Sequence, residues 1–131
     1  MTNARGCVID TNIIIYYLNQ QLTELAKAQV EASILSGSTI SIITRIEVLD
    51  WQGHTGQSLI AARALLSLFE EISLNKTIAD CCIQLRSTYK IKLPDAIIAA
   101  TALVQERQLL SRNEADFIKI AGLKLFNPFD L

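Results

Sequence analysis

Short apolar runs alternate with longer amphipathic stretches along this chain, and the runs tend to end on small polar or acidic residues. The first run, Cys7-Val8-Ile9, is β-branched and closes abruptly on Asp10. A run of that length and composition predicts a buried central strand over residues 5–10. Thr11 and Asn12 then lead into Ile13-Ile14-Ile15-Tyr16-Tyr17-Leu18, a short helix from 11 or 12 to 18. Leu22, Leu25, Ala26, Val30 and Ile34 form a helical stripe within 20–34, stopped by Ser36-Gly37-Ser38. Ile40 and Ile42 at period two predict a strand over 39–43, with Thr44 opening the next helix. Residues 50–57 carry Gly53 and Gly56 among polar neighbours and read as a loop or helix break.

The second half continues the alternation. Leu59, Ala62, Leu65, Leu66 and Phe69 predict a helix over 58–69, and 71–74 a short edge strand. Ile78, Cys82, Leu85 and Tyr89 share one side of a helix over 75–89. Pro94 opens a helix over 94–106, apolar on nearly every face and therefore buried. A strand over 108–111, a helix over 113–121 stopped by Gly122, and a strand over 124–126 complete the pattern. Strands alternating with helices imply an α/β fold with three layers, a mostly parallel central sheet with helices on both faces. With 131 residues the chain makes one domain over 1–131.

Composition narrows the function classes. Half the residues are hydrophobic and 19% are charged, which fits a packed core and not a disordered chain. No apolar stretch reaches the length of a membrane span, and no basic segment precedes an apolar one as in a signal peptide. A cytoplasmic protein without membrane partners is expected. A net charge of -1 does not advertise nucleic-acid binding, although a local patch can act beneath a neutral total. Cys7, Cys81 and Cys82 lack the spacing of a zinc site or a disulfide framework, and at least two read as buried small hydrophobes.

Four of the 13 acidic residues fall where a buried element hands over to a helix: Asp10, Glu47, Asp95 and Asp116. In an open α/β sheet those handovers can converge on one crevice. Each has a structural alternative. Asp10 suits a helix N-cap, although Thr11 and Asn12 serve equally well. Thr44-x-x-Glu47 matches a capping box. Asp95 follows Pro94 in the first turn, where an acid suits the helix dipole, and Asp116 follows Asn113 as in a capping pair. Carboxylates crowded together repel unless a cation joins them, and Mg2+ or Mn2+ is the natural counter-ion of an all-oxygen site. Such a centre would activate water and stabilise charge on a phosphodiester. The single histidine, His54, lies in the loop, which argues against zinc and against a Ser-His-Asp triad.

The order Val8-Ile9-Asp10-Thr11-Asn12, Thr44-Arg45-Ile46-Glu47, Leu93-Pro94-Asp95-Ala96-Ile97-Ile98-Ala99 and Leu110-Ser111-Arg112-Asn113-x-x-Asp116-Phe117 resembles the PIN domain. The likeness runs from about residue 6 to 127 and is closest to the small VapC-type toxins of toxin–antitoxin pairs. It implies a PIN-like sheet with acids at its carboxyl edge and magnesium-dependent endoribonuclease activity. Asp10, Glu47, Asp95 and Asp116 match the catalytic acids, with Asp10, Asp95 and Asp116 as metal ligands. Asn12, Ser111 and Asn113 match supporting positions; Ser111 stands where Thr is more frequent. A homodimer and an antitoxin occupying the acidic groove are also implied, together with an RNA substrate.

Other readings compete. A phospho-accepting receiver domain wants adjacent acids after the first strand, but Thr11 follows Asp10. A haloacid-type phosphatase wants a second Asp where Asn12 stands. A PIN fold used only for binding would not need four retained acids. Arg45 and Arg112 neighbour the acids and are candidate RNA contacts, against the plainer reading of solvated charges. Trp51 could stack on a base, though a core or dimer-interface role is the commoner fate. At least one of Tyr16 and Tyr17 is expected to pack in the core or at a dimer contact.

Overall fold

The computed structural model describes residues 6–131. Five strands form one parallel sheet: β1 (Val8–Ile9), β2 (Thr39–Ser41), β3 (Glu70–Ile72), β4 (Leu109–Leu110) and β5 (Leu125–Phe126). Their order is β3-β2-β1-β4-β5, so β1 is central and β3 is the edge strand expected over 71–74. Val8 pairs with Thr39 on one side and with Leu109 on the other. The expected first residue of that strand, Arg5, lies outside the described residues.

Period-two alternation in these short strands separates two cores. Val8 and Leu109 face one cluster, built with Ile78, Cys82, Leu85 and the Ala96–Ala100 segment. Ile9, Ile40 and Leu110 face the other, with Ile13, Ile14, Val30, Ala62 and Leu66. Helices α5 (Lys76–Thr88) and α6 (Leu93–Gln105) therefore cover one face. Helices α1 (Thr11–Leu18), α2 (Glu24–Leu35) and α4 (Gly56–Leu66) cover the other. Every residue from Ala96 to Ala102 is buried, as the all-round apolar pattern of that helix requires. Cys7 and Cys82 are buried and all three thiols are free.

Several boundaries move for local reasons. Helix α3 (Ile42–Leu49) starts two residues before the expected Thr44, because the Ser41 hydroxyl accepts from the Ile43 N–H and caps it. A good N-cap outweighs two residues of strand-like alternation. Helix α2 starts at Glu24 rather than within 20–23, because Thr23 caps it through the Ala26 N–H. The loop over 50–57 ends early, where Thr55 and Ser58 form a reciprocal capping box for α4. Pro94 occupies the second position of α6, after Leu93.

Helix α7 (Glu114–Phe117) is one turn, not the expected 113–121. Beyond it, the Ala121 N–H donates to the Tyr89 hydroxyl and Lys119 Nζ to the Lys90 carbonyl. These bonds tie the segment to the α5–α6 connection. Gly6 enters β1 at φ +74, where an added Cβ would lie 2.8 Å from the Ser38 nitrogen. Only glycine fits that backbone approach.

Candidate active site at the carboxyl edge of the sheet

The order in which strands are added to the sheet reverses at β1. The path runs outward through β2 and β3, then returns to place β4 on the other side of β1. In open α/β sheets the crevice forms outside the strand ends at such a switch point. Asp10 follows β1 and Ser111 follows β4, so both stand at that point. The Ser111 hydroxyl donates to Asp10 Oδ2 at 2.7 Å, and the Thr11 N–H donates to Oδ1 at 2.8 Å. Asp10 is indeed the N-cap of α1. Capping does not exhaust its role, because its second oxygen is held by a residue 101 positions away.

Asp10 is 3% exposed. Burial pushes its carboxyl from 3.8 up to about 6; the Ser111 and Thr11 hydrogen bonds pull against this, while the charges of Asp95 and Glu47 add to it. Asp95, in the first turn of α6, is also raised, first by burial and then by the charges of Asp116 and Glu47; Lys92 opposes the shift. Asp10 therefore feels the charges of Asp95 and Glu47, and Asp95 those of Asp116 and Glu47. Two carboxyls drawn toward the neutral form in one crevice mark a place where a cation would be favourable.

Glu47 is not part of a capping box. Thr44 lies inside α3, not at its cap, and is fully buried. The Thr11 hydroxyl sits 2.7 Å from Glu47 Oε1 and 2.9 Å from the Thr44 hydroxyl. It has one proton to give, and the carboxylate is the stronger acceptor. The Thr11 hydroxyl thus aims Glu47, a role that the sequence alone did not assign to it. A hydroxyl directly after the first acid was the available signal.

Asn113 likewise makes no side-chain cap for α7. Its amide donates to Asp116 Oδ2 at 2.9 Å, and its backbone N–H donates to the Ser111 hydroxyl oxygen at 2.9 Å. One serine hydroxyl therefore links the Asp10 and Asp116 branches. Asn12 Oδ1 accepts from the Arg112 N–H in a long bond of 3.5 Å. All three supporting residues expected from the motifs lie at the crevice.

The candidate RNA contacts separate. Arg45 is closed onto Glu71 in an ion pair of 3.2 Å. Arg112 lies with its guanidinium carbon 4.0 Å from the Phe129 ring centre and 5.1 Å from that of Tyr16. Trp51 is 61% exposed, which removes the core reading, and meets the His54 ring edge-on at 5.2 Å. His54 is a structural residue, between the Val48 carbonyl at 2.7 Å and the Ser58 hydroxyl at 2.9 Å. Beside Glu47 a cavity of about 360 Å³ opens, walled by Ile15, Leu18, Val48 and Trp51. Tyr17 packs against the second core and gives its hydroxyl to Glu31.

The PIN domain family model matches residues 7–123. The chain belongs to the PIN domain family. Its structure resembles a toxin–antitoxin complex from Klebsiella pneumoniae at 34% identity and TM-score 0.78, over 96% of this chain and 100% of the other. It also resembles FitAcB from Neisseria gonorrhoeae, at 27% identity and TM-score 0.78, over 95% and 99% of the two chains. VapBC2 from Rickettsia felis, solved with a promoter DNA fragment, shares the fold at 22% identity and TM-score 0.81, over 92% and 96%. Among curated proteins nothing matches the sequence. The family match bears out the PIN domain expected from the motifs, and the neighbour at 34% identity bears out the likeness to toxin–antitoxin proteins.

The donor set of this PIN domain fits a hard divalent cation in kind, being oxygen-only and rich in charge. Among the described residues, no three His, Cys, Asp or Glu side chains already converge as a ready ligand set. The fit rests on the charge coupling of the acids, not on a preformed cage. Among the described residues, no helix is long and apolar enough to cross a membrane.

Proposed function

We propose that this PIN domain is a magnesium-dependent endoribonuclease, the toxin of a toxin–antitoxin pair. One observation carries the reading: hydrogen bonds through Ser111 and Asn113 tie Asp10 and Asp116 together at the switch point, Thr11 ties Asp10 to Glu47, and Asp10 and Asp95 are both held up toward the neutral form. Asp10, Asp95 and Asp116 would hold Mg2+, or Mn2+ in its place. An ion held there would supply an activated water and neutralise charge on the scissile phosphate. Ser111 and the Thr11 N–H fix the rotamer of Asp10, and Asn113 fixes that of Asp116. Glu47, oriented by the Thr11 hydroxyl, is the carboxylate that accepts a proton from the attacking water.

A homodimer and an antitoxin partner belong to the same proposal. The toxin–antitoxin complex from Klebsiella pneumoniae, matched over nearly the whole chain, supports the partner. The exposed apolar wall beside Glu47 gives such a partner a surface that reaches the crevice. The test is cleavage of structured RNA by purified protein with Mg2+ or Mn2+, against the same reaction in chelator. Cleavage that survives exhaustive chelation refutes the proposal.

A further inference from the structure

We propose that Arg112 binds a phosphate of the RNA strand and is held ready for it at the lip of the crevice by an aromatic clamp, Tyr16 and Phe129. The inference rests on the RNA reading above. The backbone that carries Arg112 is anchored on both sides. Ser111 donates to Asp10, Asn113 donates to Asp116, and the Arg112 N–H reaches Asn12. Its guanidinium lies 4.0 Å from the Phe129 ring centre and 5.1 Å from that of Tyr16. The two rings meet edge to face at 5.2 Å and 67°.

The partner it lacks is as informative as the partners it has. A cation so close in sequence to Asp10 and Asp116 would ordinarily swing onto a carboxylate. Among the described residues, the one ion pair is Arg45 with Glu71, and Arg112 stacks instead. A contact with a ring face uses no hydrogen-bond acceptor, and among the described residues the guanidinium makes no hydrogen bond or ion pair, so its N–H donors stay available for another acceptor. Arg112 is exposed, so those donors are reachable from outside. A phosphodiester approaching four carboxylates meets a repulsive field, and a fixed cation at the rim offsets it. Contacts of this kind position the backbone without reading sequence. Phe129 comes from the terminal 3-10 turn Pro128–Asp130, so that turn acts as a positioning element for substrate.

The experiment measures binding of a labelled polyuridine oligonucleotide to the full chain carrying Asp95→Asn, in chelator so that no cleavage competes, across a salt series. Arg112→Gln should weaken binding several-fold and flatten the slope of log affinity against log salt by about 0.7, the value for one phosphate contact on a single strand. Arg112→Lys should keep the slope and bind more weakly than the parent, because it retains charge without the planar stack. Phe129→Leu should do the same, since it keeps bulk but removes the ring face. A slope unchanged by Arg112→Gln overturns the inference, because a packing role would not alter ion release. If Arg112→Gln does not fold, unchanged affinity in the Phe129→Leu variant overturns it instead. A parent that binds no RNA even at low salt overturns the proposed function and this inference together. A parent that binds with an Arg112-independent slope overturns the inference alone.

Discussion

Asp10→Asn should make this protein more stable and inactive, and the stabilisation should appear only as pH rises. In the wild type the Asp10 carboxyl titrates at about 6 instead of 3.8, chiefly because it is buried. At 1.36 kcal/mol per pKa unit, ionising it in the folded state costs about 3 kcal/mol. Below 3.8 the group is neutral in folded and unfolded chains alike, and there is no penalty. Between 3.8 and about 6 the folded chain holds a proton that the unfolded chain has released, so stability falls as pH rises. Above that window the penalty is complete.

Asparagine cannot ionise, so the variant escapes the fall. Its amide oxygen still accepts from the Thr11 N–H, but the Ser111 hydroxyl loses an acceptor. That loss offsets about 1 kcal/mol. The net gain near pH 8 is about 2 kcal/mol, or roughly 6–8 °C in Tm for a domain of this size. At pH 3 to 4 the variant should match the wild type or fall slightly below it. Melts across that pH range, in chelator, test this directly. A difference that does not change with pH, or a less stable variant at pH 8, refutes the reasoning. Adding Mg2+ should reverse the order. A hundredfold excess over Kd stabilises the wild type by about 3 kcal/mol and the variant far less.

Three other outcomes follow from the same geometry. Asp95→Asn should fold and lose cleavage; near-wild-type turnover would return Asp95 to the role of a helix-start residue. Glu47→Gln keeps an acceptor for the Thr11 hydroxyl, so its melting in chelator should match or exceed the wild type while cleavage falls at least tenfold, about 1.4 kcal/mol of transition-state stabilisation. Expression of the wild type alone should arrest a bacterial host, and Asp10→Ala should relieve the arrest; normal growth with soluble, folded wild type would count against the toxin assignment.

Asp10 and Asp95 were legible in the sequence because each breaks a strongly apolar context. A carboxylate ending a β-branched run, or opening a helix that is apolar all round, is drawn out of water: Asp10 is buried and Asp95 partly so. Glu47 and Asp116 were harder, because Thr44-x-x-Glu47 and Asn113-x-x-Asp116 both satisfy a capping pattern. The capping pattern at Glu47 fails on a boundary of two residues. Ser41 takes the cap, Thr44 is drawn inside the helix, and its hydroxyl turns toward Thr11. Capping signals are local, and the choice between Ser41 and Thr44 depends on where β2 ends against β1 and β3. That is a tertiary fact. The stacking of Arg112 on Phe129 was out of reach for the same reason, since it joins the crevice to the last turn of the chain.

Each carboxylate with a hydrogen-bond partner here depends on long-range pairing, directly or through Ser111. Asp10 is held from 101 residues away, Glu47 from 36 away, and Asp116 through Asn113, whose backbone rests on the same Ser111. The crevice therefore exists only when the sheet has assembled, and assembling it concentrates like charge. Folding and function pull in opposite directions at this one place, the usual condition of a site held under strain by its scaffold. What relieves the strain must be positive, because removing water alone raises the cost of ionising these acids further. A divalent cation would do so, and so would a cationic side chain brought in by a partner that covers the apolar wall beside Glu47. A partner carrying a basic residue into the crevice should compete with Mg2+ even if it touches none of the metal's ligands.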